Sequence, residues 1–321
     1  MDSRQGFGRY SLDLTATVDN AKLLGWKGSS VSVRLKNHME EFGSGYNDAS
    51  QLVSNIDAPS RTSVYELWVQ QKALDNRFRL KFGKVDANTE FAVVQSGGDF
   101  LNSSIGFSPT IVAFPSYPEP KLGAILALAS HKNYGVTLGT FRTTGSATLS
   151  LVEPNRGWTI PGRELEGHLN VGYWRLDGTL SRFGGGESSV TQGFYAVAEQ
   201  VVWKRPLNHG ERRLAMFLQG GTADGHVSPF TGHVGAGAVL QAPFGQRPSD
   251  SIGFGFTRAR LSSHPEAGFD YPSELILETY YRVSLASHVA FVQDLQFLYH
   301  PGGMRSHRDC MVITPRLVVS F

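Results

Sequence analysis

The sequence predicts an all-β fold, a transmembrane antiparallel up-and-down β-barrel, and three observations carry that prediction. Apolar and polar residues alternate with period two along most of the chain, the pattern of strands with one face in an apolar medium and the other in a polar one. The alternating segments are mostly about 9–13 residues long, which suits a tilted membrane-spanning strand better than the roughly 5–6 residues usual in soluble sheets. The last segment runs through Leu317, Val318, Val319 and Ser320 to a terminal aromatic, Phe321, an ending typical of the strand that closes such a cylinder.

Taken in order, the first strand is expected at 8–18, where Leu12, Leu14, Ala16 and Val18 oppose Ser11, Asp13, Thr15 and Thr17. The second, at 29–38, sets Val31, Val33 and Leu35 against Ser32, Arg34 and Lys36. The next two show the pattern most sharply. Tyr65, Leu67 and Val69 alternate with Glu66, Trp68 and Gln70, and Phe78, Leu80 and Phe82 share the face opposite Arg77, Arg79 and Lys81. The link of Leu74, Asp75 and Asn76 between them reads as a hairpin turn. Further strands are expected at 121–131, 133–142, 146–154, 164–177, 191–204, 211–221, 231–242, 250–260, 273–285, 288–300 and 309–321, about fifteen in all. Tight links at 74–76, around Lys132 and at Ala286 and Ser287 are interleaved with long polar ones at 39–62, 86–120, 178–190 and 261–272. Outer-membrane barrels have this asymmetry between short periplasmic turns and long external loops. No linker and no repeat beyond the hairpin divides the chain, so 1–321 is expected to form one barrel domain.

Composition agrees and removes competitors. Hydrophobic residues make up 40%, charged residues 18%, and mean hydropathy is −0.19. The longest purely apolar run, 124–129, is far short of the roughly 20 residues a membrane helix needs; a barrel evades that test because its two faces average out. Thirty basic and 28 acidic residues give a net charge of +2 without a Lys/Arg block, so nucleic acid is not an expected partner. A lone Cys310 excludes an intrachain disulfide, and no metal site or cofactor is expected. There is no Gly-x-Ser-x-Gly elbow, no His-Glu-x-x-His and no phosphate loop, so no residue is assigned a catalytic role and an enzyme is not expected. A soluble β-rich sugar-binding module would need shorter strands and an apolar interior.

Residues 1–8 are polar, without the charged and apolar segments of a leader. Counting back from a periplasmic C-terminus, the fifteenth strand begins near Phe7 at the external end, whereas single-chain bacterial barrels have an even count with both ends inside. One strand is therefore expected upstream, as in an N-terminally shortened sixteen-stranded barrel. Whether Met1 is the true start or a leader and first strand are missing stays open.

Several blocks resemble the carbohydrate-selective porin family (OprB type). They are Leu23-Leu24-Gly25-Trp26, Val53-Ser54-Asn55-Ile56-Asp57-Ala58-Pro59, Tyr65-Glu66-Leu67-Trp68-Val69-Gln70-Gln71 and Phe82-Gly83-Lys84-Val85-Asp86-Ala87-Asn88-Thr89-Glu90-Phe91. Phe100-Leu101-Asn102-Ser103-Ser104-Ile105-Gly106, Pro115-Ser116-Tyr117-Pro118, Glu278-Thr279-Tyr280-Tyr281 and His300-Pro301-Gly302-Gly303 continue the resemblance over nearly the whole chain. It implies sixteen strands in the bacterial outer membrane and a channel for passive uptake of glucose and other small sugars, with an inward-folded external loop narrowing the pore.

Alternation then assigns the walls of such a pore. If Phe78, Leu80 and Phe82 face lipid, Arg77, Arg79 and Lys81 face the lumen, because Lys or Arg at the lipid midplane costs about 2–4 kcal/mol. Arg34 and Lys36 turn inward on the same logic, with Glu66, Glu274, Glu278 and Asp294 as opposing charges. Trp68 and Gln70 share the lumen face; Trp68 is either an apolar platform for a sugar's C–H face or part of an interfacial girdle. The 86–120 segment is the candidate constriction, its Gly97, Gly98, Pro109, Pro115 and Pro118 suggesting a folded-in shape, and Asp99, Asn102, Ser103 and Ser104 are its candidate solute contacts. The alternative for the loop is a seal at the barrel mouth. The alternative for the channel is a general or anion-preferring diffusion porin, since Arg77, Arg79 and Lys81 would draw anions. Expected partners are small carbohydrates as solutes, outer-membrane lipid, and the barrel assembly machinery acting on the strand that ends at Phe321. Monomer and homotrimer are both left open.

Overall fold

A computed structural model describes residues 8–41, 48–130, 133–143, 145–208 and 210–321. The strands are β1 (Gly8–Asp19), β2 (Ser29–Glu41), β3 (Arg61–Ala73), β4 (Phe78–Val85), β5 (Lys121–Ala129), β6 (Tyr134–Arg142), β7 (Thr148–Ile160) and β8 (Leu165–Ser181). They continue with β9 (Glu187–Pro206), β10 (Glu211–Thr222), β11 (Phe230–Gln241), β12 (Ser251–Leu261), β13 (Ser273–Ala286), β14 (Val289–Tyr299) and β15 (Cys310–Val319). All fifteen lie in one sheet in sequence order, each antiparallel to the next. Two short helices, α1 (Asn20–Leu24) and α2 (Ser103–Gly106), sit in the connections.

All fifteen strands expected between residues 8 and 321 are present, because the two solvents dictate the pattern. Leu14 pairs with Leu35 and Val69 with Phe82 across neighbouring strands, and these side chains are exposed, Leu14 by 64% and Phe82 by 53%. The opposite register carries Asp13, Lys36, Glu66 and Lys81 and faces inward, where Lys36, Glu66 and Lys81 are buried. This inside-out distribution is that of a barrel in lipid, not of a soluble sandwich.

Some expectations need correction. Arg77 precedes β4 and lies in the turn, where its Nε donates to the Leu74 carbonyl at 3.0 Å; it is not a residue of the strand wall. Leu74, Asp75 and Asn76 all have positive φ (52°, 54° and 64°), so Arg77 closes the turn, its N donating to the Leu74 carbonyl at 3.1 Å while its own carbonyl accepts from Ala129 N at 2.8 Å. The long 178–190 connection shrinks to 182–186, because β8 and β9 keep pairing through Leu180 with Ser188 and Ser181 with Glu187. Such paired extensions stand beyond the membrane band, where polar residues do not break a strand. The link around Lys132 and the strand expected before Phe7 lie outside the described residues. Among the described residues β1 pairs only with β2 and β15 only with β14, and these two odd-numbered strands run in the same direction.

The core is inside the lumen, and the 86–120 segment makes it. Phe91, Ala92 and Ile111 pack against Phe141, Leu149, Leu151, Trp174 and Tyr195 of the wall. Farther along, Phe100 meets Phe217 and Tyr280 edge-on, with ring centroids 5.8 and 4.9 Å apart, the geometry aromatic quadrupoles prefer. Wall residues from β6 to β13 thus surround one loop. Gly139 leaves the space for it: a Cβ there would come within 2.6 Å of Phe91 Cζ.

Gly139→Val is expected to lower barrel stability by about 1–3 kcal/mol through overpacking against Phe91. Urea titration followed by heat-modifiable electrophoretic migration checks it; an unchanged midpoint would mean that Phe91 is not seated against β6.

Candidate functional site

A loop folded into a lumen has peptide N–H groups with no ladder partner, and each needs an acceptor. Wall carboxylates supply them. Glu66 on β3 accepts from Asp86 N at 3.1 Å, and Glu153 on β7 from Ala92 N at 2.8 Å. Glu199 on β9 takes Gln95 N and Ser96 N at 2.8 and 2.7 Å, one on each oxygen. Glu278 on β13 does the same for Leu101 N and Asn102 N at 2.5 and 3.1 Å. From the other side, Gln219 Nε2 donates to the Ser104 and Ile105 carbonyls at 2.9 and 2.8 Å. A second inward segment is held likewise: Glu274 accepts from Ser50 N and Gln51 N at 2.9 and 2.8 Å. Leaving a buried N–H without an acceptor costs about 1–3 kcal/mol, so these four carboxyls strap the loop around its circumference.

This arrangement places several of the predicted solute contacts in structural roles. Glu66 and Glu278 face loop backbone. Asn102 caps α2 through its Oδ1, which accepts from Ser104 N at 3.0 Å, and its Nδ2 donates to Gln296. Asp294 is fully buried and accepts from Gln296 Nε2 at 3.0 Å. Asp99 accepts from Ser251 Oγ at 3.0 Å and lies 3.5 Å from Arg282 Nε. Arg34 pairs with Glu66 at 3.3 Å; Lys36 pairs with Asp13 at 2.7 Å and stands 4.8 Å over the Tyr65 ring.

The remaining predicted residues converge. Glu90, directly after the 3₁₀ turn Ala87–Thr89 that follows β4, accepts from Arg79 Nη1 and Nη2 at 2.9 and 2.6 Å, a bidentate pair, and is also bonded by Lys81 Nζ. Lys81 Nζ in turn lies 4.4 Å over the half-buried Trp68 ring. Gln70 Oε1 is 3.5 Å from Arg79. The cross-strand neighbour of Trp68 is Gly83, and only glycine fits there, because a Cβ would come within 2.6 Å of Trp68 Cα. Burial opposes the charge on Glu90, but the hydrogen bond from Arg79 and the charges of Lys81 and Arg79 outweigh it and hold the carboxyl below the usual range.

Two connected cavities open beside this cluster. One of about 610 Å³ is lined by Arg79, Glu90, Asn133, Asn155, Arg156 and Asn170. The other, about 450 Å³, is lined by Asp99, His168, Arg213, Gln241 and Tyr280 among others, and both share Gln95 and His168. His168 Nε2 is 3.0 Å from Glu199. The lining residues lie near the short-turn ends of β6, β7, β8, β10 and β11, so the cavities are the lumen beneath the loop. Amide side chains offer a donor and an acceptor each, which suits a solute rich in hydroxyls. Among the described residues no group of three His, Cys, Asp or Glu is placed to hold a metal.

Glu90, Glu153, Glu199 and Gln219 were not singled out from the sequence. For Glu153 and Glu199 the available signal is a carboxylate on the inward parity of the strands expected at 146–154 and 191–204.

A family model described as carbohydrate-selective porin, OprB family, matches residues 8–321. Porin B of Pseudomonas aeruginosa is 22% identical over 377 residues, covering 98% of this chain and 82% of that protein. The high-pH structure of Pseudomonas putida OprB superposes with a TM-score of 0.86 at 19% identity, covering 98% of this chain and 88% of that one. Its low-pH structure gives 0.64 at 18% identity, covering 97% and 86%. At these identities the superpositions speak for the fold alone.

Glu199→Leu leaves Gln95 N and Ser96 N without acceptors and is expected to free that stretch of the loop, at a cost of about 1–3 kcal/mol per unsatisfied group. Noisier single-channel current and faster amide hydrogen exchange at 95–96 are the readouts; exchange as slow as in the native chain would rule the strap out. For Glu90 the folded-state pKa is depressed, so its stabilisation is present above the ordinary carboxylate value and lost only as pH falls through the depressed one. The pairing of Glu90 with Arg79 and Lys81 is therefore expected to survive acidification through the ordinary carboxylate range, so the reversal potential of the native channel stays apart from that of Glu90→Gln there and approaches it only in stronger acid, which reversal potentials measured against pH check.

Proposed function

The chain belongs to the carbohydrate-selective porin family of the OprB type, an outer-membrane β-barrel channel for carbohydrates, and we propose that its solutes are monosaccharides and other small, uncharged sugars. They diffuse passively through the space between the 86–120 loop and the wall that carries Trp68, Gln70, Arg79 and Lys81. The observation that carries this reading is the partial neutralisation at Glu90, whose one carboxylate engages both Arg79 and Lys81. Cations so engaged attract anions less than free ones, and the Arg79 N–H groups still line the passage with Asn133, Asn155 and Asn170 nearby. Such a surface can replace the water around sugar hydroxyls one bond at a time, and each site is weak enough to release the solute. The flat Trp68 ring beside Lys81 suits a sugar's C–H face.

On this reading the loop is the constriction. Its apolar residues and carboxylate straps support a fixed position inside the lumen, which a seal at the mouth would not require. Arg77, in its turn, is left outside the selective region. We also assign Phe321, 98% exposed beyond β15, to recognition by the barrel assembly machinery.

An anion-preferring diffusion channel is the second reading, since two cations face one carboxylate at the cluster. Planar-bilayer conductance with graded sugars separates the two. The proposal expects small sugars to lower the current of the native channel, with weak ion selectivity; sugar-independent current with strong anion selectivity would establish the second reading instead. Glu90→Gln uncovers Arg79 and Lys81 and is expected to raise anion over cation permeability severalfold, measured by reversal potential in a salt gradient.

A further inference from the structure

The connection between β1 and β2 carries a motif the channel does not use, Leu23-Leu24-Gly25-Trp26, flanked by Lys22 and Lys27. Its apolar side chains are among the most exposed in the protein: Leu23 by 71%, Leu24 by 73% and Trp26 by 59%. Soluble surfaces do not cluster such residues without a partner.

The register says which side of the barrel they occupy. Ser29 pairs with Gln71, and two residues on Val31 pairs with Val69, so Ser29 and Gln71 lie on the outward, lipid-side face. Ser29 is nevertheless only 6% exposed and Asn20 only 8%. What covers them is the connection itself: Asn20 Nδ2 donates to Ser29 Oγ at 2.8 Å, and Gln71 Nε2 donates to the Lys27 carbonyl at 3.0 Å. The backbone of Gly28 seals the junction, since Lys72 N donates to its carbonyl at 2.8 Å. The 20–28 segment is thus folded against the outer perimeter of the barrel at its short-turn end, continuous with the apolar band of Leu14, Val18 and Val69. Beside it, Leu74 is 68% exposed in a turn with φ of 52°, a conformation a branched side chain adopts at a cost. Lys22 and Lys27 are exposed and have no ion pair among the described residues.

We propose that this foot, Leu23, Leu24, Trp26 and Leu74, is seated in the phospholipid leaflet at the short-turn end of the barrel, with Lys22 and Lys27 holding the phosphates of anionic headgroups. Tryptophan and lysine divide the work by polarity: the indole prefers the headgroup level, and the lysine stem runs along apolar surface while its ammonium reaches the phosphate. Two unpaired cations at one spot of the rim favour an anionic headgroup over a zwitterionic one.

The full chain, folded into vesicles, tests this through the fluorescence of Trp26, taken as native protein minus Trp26→Phe. Vesicles of phosphatidylcholine carry either brominated phosphatidylglycerol or brominated phosphatidylcholine as quencher. The expected result is that brominated tails quench the Trp26 component, phosphatidylglycerol more strongly, and that Lys22→Gln with Lys27→Gln abolishes the difference while channel conductance is unchanged. No quenching by either lipid would put the foot outside the membrane and overturn the proposal. Equal quenching by both lipids would overturn the headgroup assignment. An oligomer in detergent that dissociates with Leu23→Ser and Leu24→Ser, with Trp26 unquenched, would give the surface to a second copy instead.

Discussion

The structure depends on one kind of interaction, the hydrogen bond from a loop peptide N–H to a carboxylate rooted in the barrel wall. An irregular backbone inside a lumen cannot satisfy itself the way a strand does, and water satisfies it without fixing it. Glu66, Glu153, Glu199 and Glu278 are spaced around the wall on β3, β7, β9 and β13, and each meets the loop where its chain passes. Two of them accept two consecutive N–H groups, which fixes the orientation of a peptide plane as well as its position. Apolar packing of Phe91 and Phe100 into wall pockets does the rest, since burial is strong but has no direction of its own.

A division of labour between charges follows. Buried acids face the loop, where a fixed acceptor is needed. Arg79 lines the larger cavity and shares Glu90, a residue carried by the loop itself, with the buried Lys81. Seating the loop therefore does two things at once: it narrows the lumen, and it delivers the carboxylate that moderates the cations opposite. A channel with the loop displaced would be both wider and more positive.

The barrel was legible in the sequence because its solvents are. Lipid outside and water inside force period-two alternation wherever a strand crosses, and all fifteen strands follow. The pattern fails where those solvents stop imposing it. β8 and β9 continue past the membrane through Leu180 and Ser181 with polar residues, and read as a loop. Inward-facing positions such as Arg34, Lys36, Trp68 and Lys81 could be assigned to a face but not to a partner. The partners of the loop are remote: Gln95 meets Glu199 across 104 residues and Leu101 meets Glu278 across 177. No local pattern encodes such pairs, which is why Glu66 and Glu278 read as solute contacts and Glu199 was missed. Glu90 was missed for a different reason. It sits in a turn, where there is no alternation to mark a face, and only the closeness of β4 to the loop base brings it onto Arg79.

The same register also explains why a rigid constriction is compatible with a permeable one. Straps and apolar clusters lie on the loop's wall side, so the groups left facing the cavities are side chains with several equivalent donors and acceptors: the guanidinium of Arg79, the amides of Gln95, Asn155 and Asn170. On the proposed reading of the loop as the constriction, its fixed backbone sets the width of the passage and thereby the size of what enters. The polar side chains on the cavities would then set the chemistry of passage, exchanging bonds with successive hydroxyls without a single deep site. Selectivity for small uncharged polyols would then need no dedicated binding pocket; it would rest on a fixed gap, two cations partly neutralised by Glu90, and walls that can substitute for water at each step.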